Sequence, residues 1–115
     1  MHIRIYQINL DRDNQFLAFA GTDILYDILG RVEVDSSIYD PVFNGTTRKK
    51  TLEGVFTQFN VDRPKDFYGR SMSVSDVLEI VTAVPQTHLA PGFYFCDSYG
   101  WRRISFDPTS AGGCP

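Results

Sequence analysis

Over the first ten positions Ile3, Ile5, Ile8 and Leu10 alternate loosely with Arg4, Gln7 and Asn9, which predicts a β-strand over residues 3–10. Asp11-Arg12-Asp13-Asn14 carries turn chemistry. The short apolar run Phe16-Leu17-Ala18-Phe19 is then expected to pair back, making residues 3–19 a hairpin. Ile24, Leu25, Ile28 and Leu29 share one helical face, with Thr22 placed as N-cap, Asp23 in the first turn and Gly30 as a stop. This predicts a helix over residues 23–29. Val32, Val34 and residues 36–39 read as extended, and Asp40-Pro41 and Asn44-Gly45 read as turns. After a polar, basic loop at 46–50, Leu52, Val55, Phe56 and Phe59 recur at helical spacing and predict a second helix over 52–59.

Residues 60–69, with Pro64, read as a loop. Ser73-Val74-Ser75-Asp76 fits a capping box, with Ser73 as N-cap and Asp76 reaching back. Val74, Val77, Leu78 and Val81 continue a helical stripe, which predicts a third helix over 74–82. Pro85 and Pro91 bracket a connector. Gly92 to Cys96 is an aromatic strand, Asp97 to Gly100 can turn, and alternation resumes from Trp101 to Phe106, giving a second hairpin over 93–106. The expected fold is α+β, an antiparallel or mixed sheet with two β-hairpins and three short helices packed on it. Residues 1–106 are expected to form one domain and residues 107–115 a flexible tail.

Composition narrows the class. The chain has 115 residues, 43% of them hydrophobic, 14% aromatic and 22% charged. That excludes an intrinsically disordered chain. The net charge of −3 argues against a dedicated nucleic-acid coat protein. It also hides an asymmetry. Residues 1–40 hold three basic and seven acidic side chains, whereas residues 41–115 hold eight basic and seven acidic. No apolar run approaches the roughly 20 residues of a membrane span. The N-terminal pattern is not that of a signal peptide, so a cytoplasmic protein is expected. Cys96 and Cys114 do not make a disulfide framework, and reduced thiols are the simpler expectation.

Candidate chemistry is sparse. Cys96 has Asp97 beside it and His88 upstream, but neighbours in a strand point to opposite faces, so Cys96 reads as a small core residue. His2, His88, Cys96 and Cys114 have no metal-site spacing, and Asp11, Asp13 and Asp35 read as turn residues. The expectation is no enzyme, no metal and no cofactor. Gly69-Arg70-Ser71 before the third helix could hold an anion through Arg70, against the simpler reading of a turn plus a cap. Arg48-Lys49-Lys50, and Arg102-Arg103 beside Tyr99 and Trp101, are basic patches suited to nucleic acid and equally to a protein hot spot, against the simpler reading of a solvated loop and an edge strand. Asp11, Asp13, Asp23 and Asp27 could form an acidic patch facing a basic partner such as the groove of a nuclease, against the simpler reading of ordinary helix and turn solvation.

Several segments together resemble the YodL-like domain family. They are Arg4 to Asn9, Asp35 to Asp40 with Val42-Phe43 and Gly45, Leu52-Glu53-x-Val55-Phe56, Gly69 to Val77, and Gly92 to Asp97 with Ser98, Gly100 and Trp101. The resemblance spans roughly residues 3–106. It implies a small accessory protein of Gram-positive bacteria or their conjugative elements, and it brings no catalytic residues. The expected function is therefore a protein-binding accessory factor, most concretely an anti-defence inhibitor of a Cas or restriction nuclease. A nucleic-acid-binding conjugation factor and a module acting on a cytoskeletal protein are the alternatives. No membrane partner is expected.

Overall fold

The first strand, β1 (His2–Ile8), is where the alternation places it, but its partners are not. In the computed structural model, which describes residues 1–29, 34–83 and 89–112, β1 pairs antiparallel with β2 (Tyr39–Thr46) on one side and β3 (Val77–Thr82) on the other. β3 then pairs with β4 (Gly92–Asp97), and β4 with β5 (Gly100–Ile104), giving one five-stranded antiparallel sheet in the order β2-β1-β3-β4-β5. Two α-helices, α1 (Thr22–Leu29) and α2 (Leu52–Val61), and a 3₁₀ turn at Ser36–Ile38 complete the described elements. The fold is mostly sheet. This corrects the expected α+β arrangement of three helices on a sheet of two hairpins.

Each difference has a local cause. The expected third helix is strand β3, and β3 is the middle strand of the sheet. Val77, Leu78 and Ile80 are all buried, so both faces of the strand are apolar. A strand covered on both sides loses its period-2 signature, and its apolar run then resembles a helical stripe. Phe16 and Phe19 have φ of 56° and 68°, so the run expected to close a first hairpin cannot extend as a strand. The turn signals at Asp40-Pro41 and Asn44-Gly45 fall inside β2. This is an edge strand, where a missing proline N–H is tolerated, and Pro41 sits at the register shift opposite Tyr6. At Gly45 a Cβ would lie 2.8 Å from the Phe43 ring. The β4–β5 hairpin does form, closed by Asp97 opposite Gly100 at φ +90°.

The sheet is buried on both sides, and alternation along β1 sorts its residues. Ile3 and Ile5 face α2 with Phe43, Leu78, Ile80 and Tyr94, against Leu52, Val55 and Phe59. The Phe43 and Phe59 rings meet edge-on at 4.8 Å. Tyr6 and Ile8 face the other side with Val77, Phe95 and Tyr39, covered by Leu17 and by Leu25 of α1. Phe106 joins this second cluster, its ring 5.3 Å from that of Tyr39. Beyond β5, Asp107 to Ser110 form a turn and the Gly112 N–H donates to the Tyr39 carbonyl at 2.9 Å. The expected helix stop at Gly30, and Val32, Pro85, His88 and Cys114, lie outside the described residues. Among those described, no helix is long and apolar enough to cross a membrane.

Candidate functional site

Three chain segments meet at the end of the sheet where β1 finishes and β3 begins. The first is the turn Ser73–Asp76. The Asp76 carboxylate does accept the Ser73 N–H, at 3.0 Å, as the capping-box pattern implies. The bond closes a turn rather than a helix, because Ser75 takes φ +83°. The Ser75 N–H donates to the Cys96 carbonyl at 2.9 Å and the Cys96 N–H to the Asp76 carbonyl at 2.8 Å, which fastens the turn to β4.

The second segment is the loop 13–20. Both carboxylate oxygens of buried Asp13 accept backbone N–H groups, from Leu17 and Ala18, each at 2.8 Å. The Ser75 hydroxyl accepts the Phe19 N–H at 2.9 Å. The third is the β4–β5 turn. Asp97 accepts the Thr22 N–H at 3.0 Å and the Thr22 hydroxyl at 2.6 Å, so it caps α1 from across the molecule. Thr22, expected to be the N-cap, is the first helical residue. A Cβ on Gly21 would collide with the Ser98 hydroxyl, so this close approach requires glycine. Burial opposes ionisation of Asp97, but the Thr22 hydroxyl and N–H, the Ser98 N–H and nearby Arg102 hold its carboxyl below the usual range.

This stitched end presents aromatic rings to solvent. Phe16 is 86% exposed, Phe19 53% and Tyr99, at the tip of the β4–β5 turn, 99%. Phe16 and Phe19 hold left-handed backbone conformations, which cost an L-residue about 1–2 kcal/mol each. Two bulky apolar residues are thus both strained and exposed, and buried polar groups pin the loop that carries them. The Arg70 guanidinium lies over the Phe19 ring, 5.3 Å from its centroid.

Beneath the rings is a buried polar centre. Gln7 clamps the passing backbone of Arg70, accepting its N–H at 3.1 Å and donating to its carbonyl at 2.8 Å. Gln7 also donates to Asp76 Oδ2 at 2.9 Å, while Asp76 Oδ1 has no hydrogen-bond partner among the described residues. Burial pushes the Asp76 carboxyl up to about 7, against the opposing Ser73 N–H, Gln7 and Arg70. Burial and the neighbouring carboxylates of Asp76 and Asp13 push the Tyr39 phenol up, and its hydroxyl donates to the Ser75 carbonyl at 2.7 Å. Burial, then Asp76, Asp97 and Glu53, push the Cys96 thiol up to about 12. A thiol so far from ionisation is a core residue and a poor nucleophile.

The residues singled out from sequence are only partly brought together. Asp11, Asp23 and Asp27 are exposed, but Asp13 is spent on its own loop. Trp101 packs edge-on to Phe56 at 6.4 Å, and Tyr99 stands free beside it. Arg102 is exposed, whereas Arg103 donates to the Pro91 carbonyl at 2.7 Å and lies over the Tyr94 ring. Arg48, Lys49 and Lys50 are exposed in the loop between β2 and α2. With β3 in place of a third helix, no helix N-terminus follows Arg70, and its guanidinium donates instead to the Ile8 carbonyl at 2.9 Å. Sequence reasoning passes over Phe16, Phe19, Ser75 and Gln7. The one signal for the loop is Asp13 standing before an apolar run with no strand partner.

No curated protein and no solved structure matches the chain. A family model, the YodL-like domain, matches residues 2–106 and so takes in all three segments of this end. The motif residues fastened here, Ser73 to Asp76 and Cys96 to Gly100, are among those that carry the resemblance, and the chain belongs to the YodL-like domain family.

Proposed function

We propose that this protein is a non-enzymatic binding module that works by docking onto another protein. In its most concrete form it is an anti-defence inhibitor, carried by a mobile element, that binds a Cas or restriction nuclease of the host. The observation that carries the docking reading is the pair Phe16 and Phe19, exposed at backbone angles that cost free energy and pinned there by Asp13 and Ser75. A preorganised loop loses little entropy on binding, and aromatic anchors supply most of the energy of typical interfaces. The acidic first third of the chain, with Asp11, Asp23 and Asp27 exposed, supports a partner whose working groove is basic.

The test is capture of host nucleases on immobilised protein, followed by a cleavage assay. Wild type is expected to retain a nuclease and to reduce its cleavage. Phe16→Asn and Phe19→Asn, which suit left-handed backbone, should each weaken capture at least tenfold, about 1.4 kcal/mol. Undiminished cleavage by every Cas and restriction nuclease of the host would refute the nuclease version. Capture unaffected by both variants would refute the assignment of the surface.

A further inference from the structure

Between the first turn of α2 and the β4–β5 turn lies a hollow of about 260 Å³, lined by Glu53, Phe56, Val74, Cys96 and Trp101, with Asp97 at its margin. It is smaller than the roughly 300–1,000 Å³ of small-molecule sites and has the scale of a side chain. We propose that this hollow receives a cationic side chain, arginine or lysine, of the docked partner protein. The inference deepens the docking reading and rests on it only for what carries the cation.

The chemistry of the lining selects the guest. Phe56 and Trp101 stand at 82° to one another with centroids 6.4 Å apart, so a cation over one ring face is flanked by the second ring. Val74 and the aromatic edges suit the aliphatic stem of a long basic side chain. Glu53 is exposed at the rim and makes no ion pair among the described residues. Lys49, at the helix entry, runs past Gly54 into a separate groove with Thr57 and Gln58. Asp97, next to Cys96 in β4, puts a second carboxylate in the lining. An anionic guest would meet those carboxylates. A neutral apolar guest would strip water from Glu53 without replacing it. A basic side chain satisfies both the rings and the carboxylate.

Trp101 is the sole tryptophan, so its indole N–H gives one unambiguous NMR cross-peak. The full chain is titrated with three capped glycine-rich pentapeptides bearing arginine, lysine or norleucine at the centre. The arginine and lysine peptides are expected to move the Trp101 peak saturably, and the norleucine peptide is not. Glu53→Gln, an exposed substitution, should weaken the arginine peptide at least threefold, with a melting temperature lowered by no more than the loss of one first-turn carboxylate from a helix macrodipole. An equal response to norleucine, no saturable shift with arginine, or an unaltered titration in Glu53→Gln would each overturn the proposal. A shift that grows with protein concentration in the absence of peptide would show that a second copy of the chain occupies the hollow, and would overturn the assignment to a different protein. Failure of these titrations while Phe16→Asn still abolishes nuclease capture removes the cation site and leaves the docking reading standing.

Discussion

Asp76 is fully buried, with one carboxylate oxygen on Gln7 and Ser73 and the other unpartnered among the described residues. Its folded-state value of about 7 stands above the ordinary 3.8, so the folded protein holds this proton more tightly than the unfolded chain does. The associated stability is complete below about pH 4 and is lost as pH rises through about 7, with a ceiling on the order of 4 kcal/mol. Asp76→Asn keeps a neutral side chain of the same shape and should remove this dependence. Thermal melts from about pH 5 to 8 should show wild type losing stability relative to Asp76→Asn as pH rises. A constant gap between the two proteins would show that the carboxyl does not titrate there. Cys96, two strand positions beyond Tyr94, is buried and its thiol is pushed up to about 12. In a Cys114→Ser background, a thiol reagent at pH 8 should label Cys96 only on unfolding, and rapid native labelling would contradict the core assignment. At Phe16 the opposite logic holds. Replacing it with Asn relieves a strained backbone and removes an exposed ring, so the variant should melt no lower than wild type and gain up to about 1 kcal/mol. Stability retained together with binding lost would identify a residue kept for its partner rather than for the fold.

Helix α1 begins where a distant strand supplies its cap. Asp97 satisfies the first helical N–H and the Thr22 hydroxyl together, so Asp97→Ala should destabilise the protein by about 1 kcal/mol, read by denaturant titration. An unchanged midpoint would mean that water replaces the carboxylate without loss. The same element shows what the sequence could disclose. The apolar face of α1 was legible from its spacing, but the source of its cap, 75 positions away, was not. Helix α2 was legible because its stripe is one-sided; its local cap, Thr51, which accepts the Gly54 N–H at 2.9 Å, is added by the structure. Strand β3 was misread because burial on both faces erases alternation. Strand β2 was missed because an edge tolerates Pro41 and the Phe43 ring demands Gly45, so turn residues stood inside a strand. At the site, Tyr99 was legible from the Asp-Ser-x-Gly turn that exposes it, whereas Trp101, expected to be free beside it, is half-buried against Phe56. Phe16 and Phe19 were not, because what marks them is a positive φ, held in part by the distant Ser75 hydroxyl, 56 positions from Phe19, while the local Asp13 reads only as an ordinary turn residue.

The whole sheet decides whether this stitched end exists. Its three segments come from positions near 16, 75 and 98, and only the ordering of β1, β3 and β4 brings them together. An exposed loop of this kind would ordinarily exchange its amides quickly, through local opening of small cost. Here the Leu17 and Ala18 amides are held by a buried carboxylate and the Phe19 amide by the hydroxyl of Ser75, 1% exposed. Opening the loop therefore uncovers an unpaired Asp13 and breaks the cover over Tyr6 and Ile8, which couples it to the core on that face. Native-state hydrogen exchange should find Leu17, Ala18 and Phe19 protected to a level near that of β1 and β3, while the exposed Tyr99 amide at the hairpin tip exchanges freely. Asp13→Ala should lower protection at Leu17 and Ala18 by a factor of about ten or more per lost bond to a charged acceptor, and leave Phe19 protected through Ser75. Fast exchange at all three amides in the wild type would mean that the loop opens independently of the sheet. Its aromatic rings would then be ordered only on binding, rather than held in readiness by the fold.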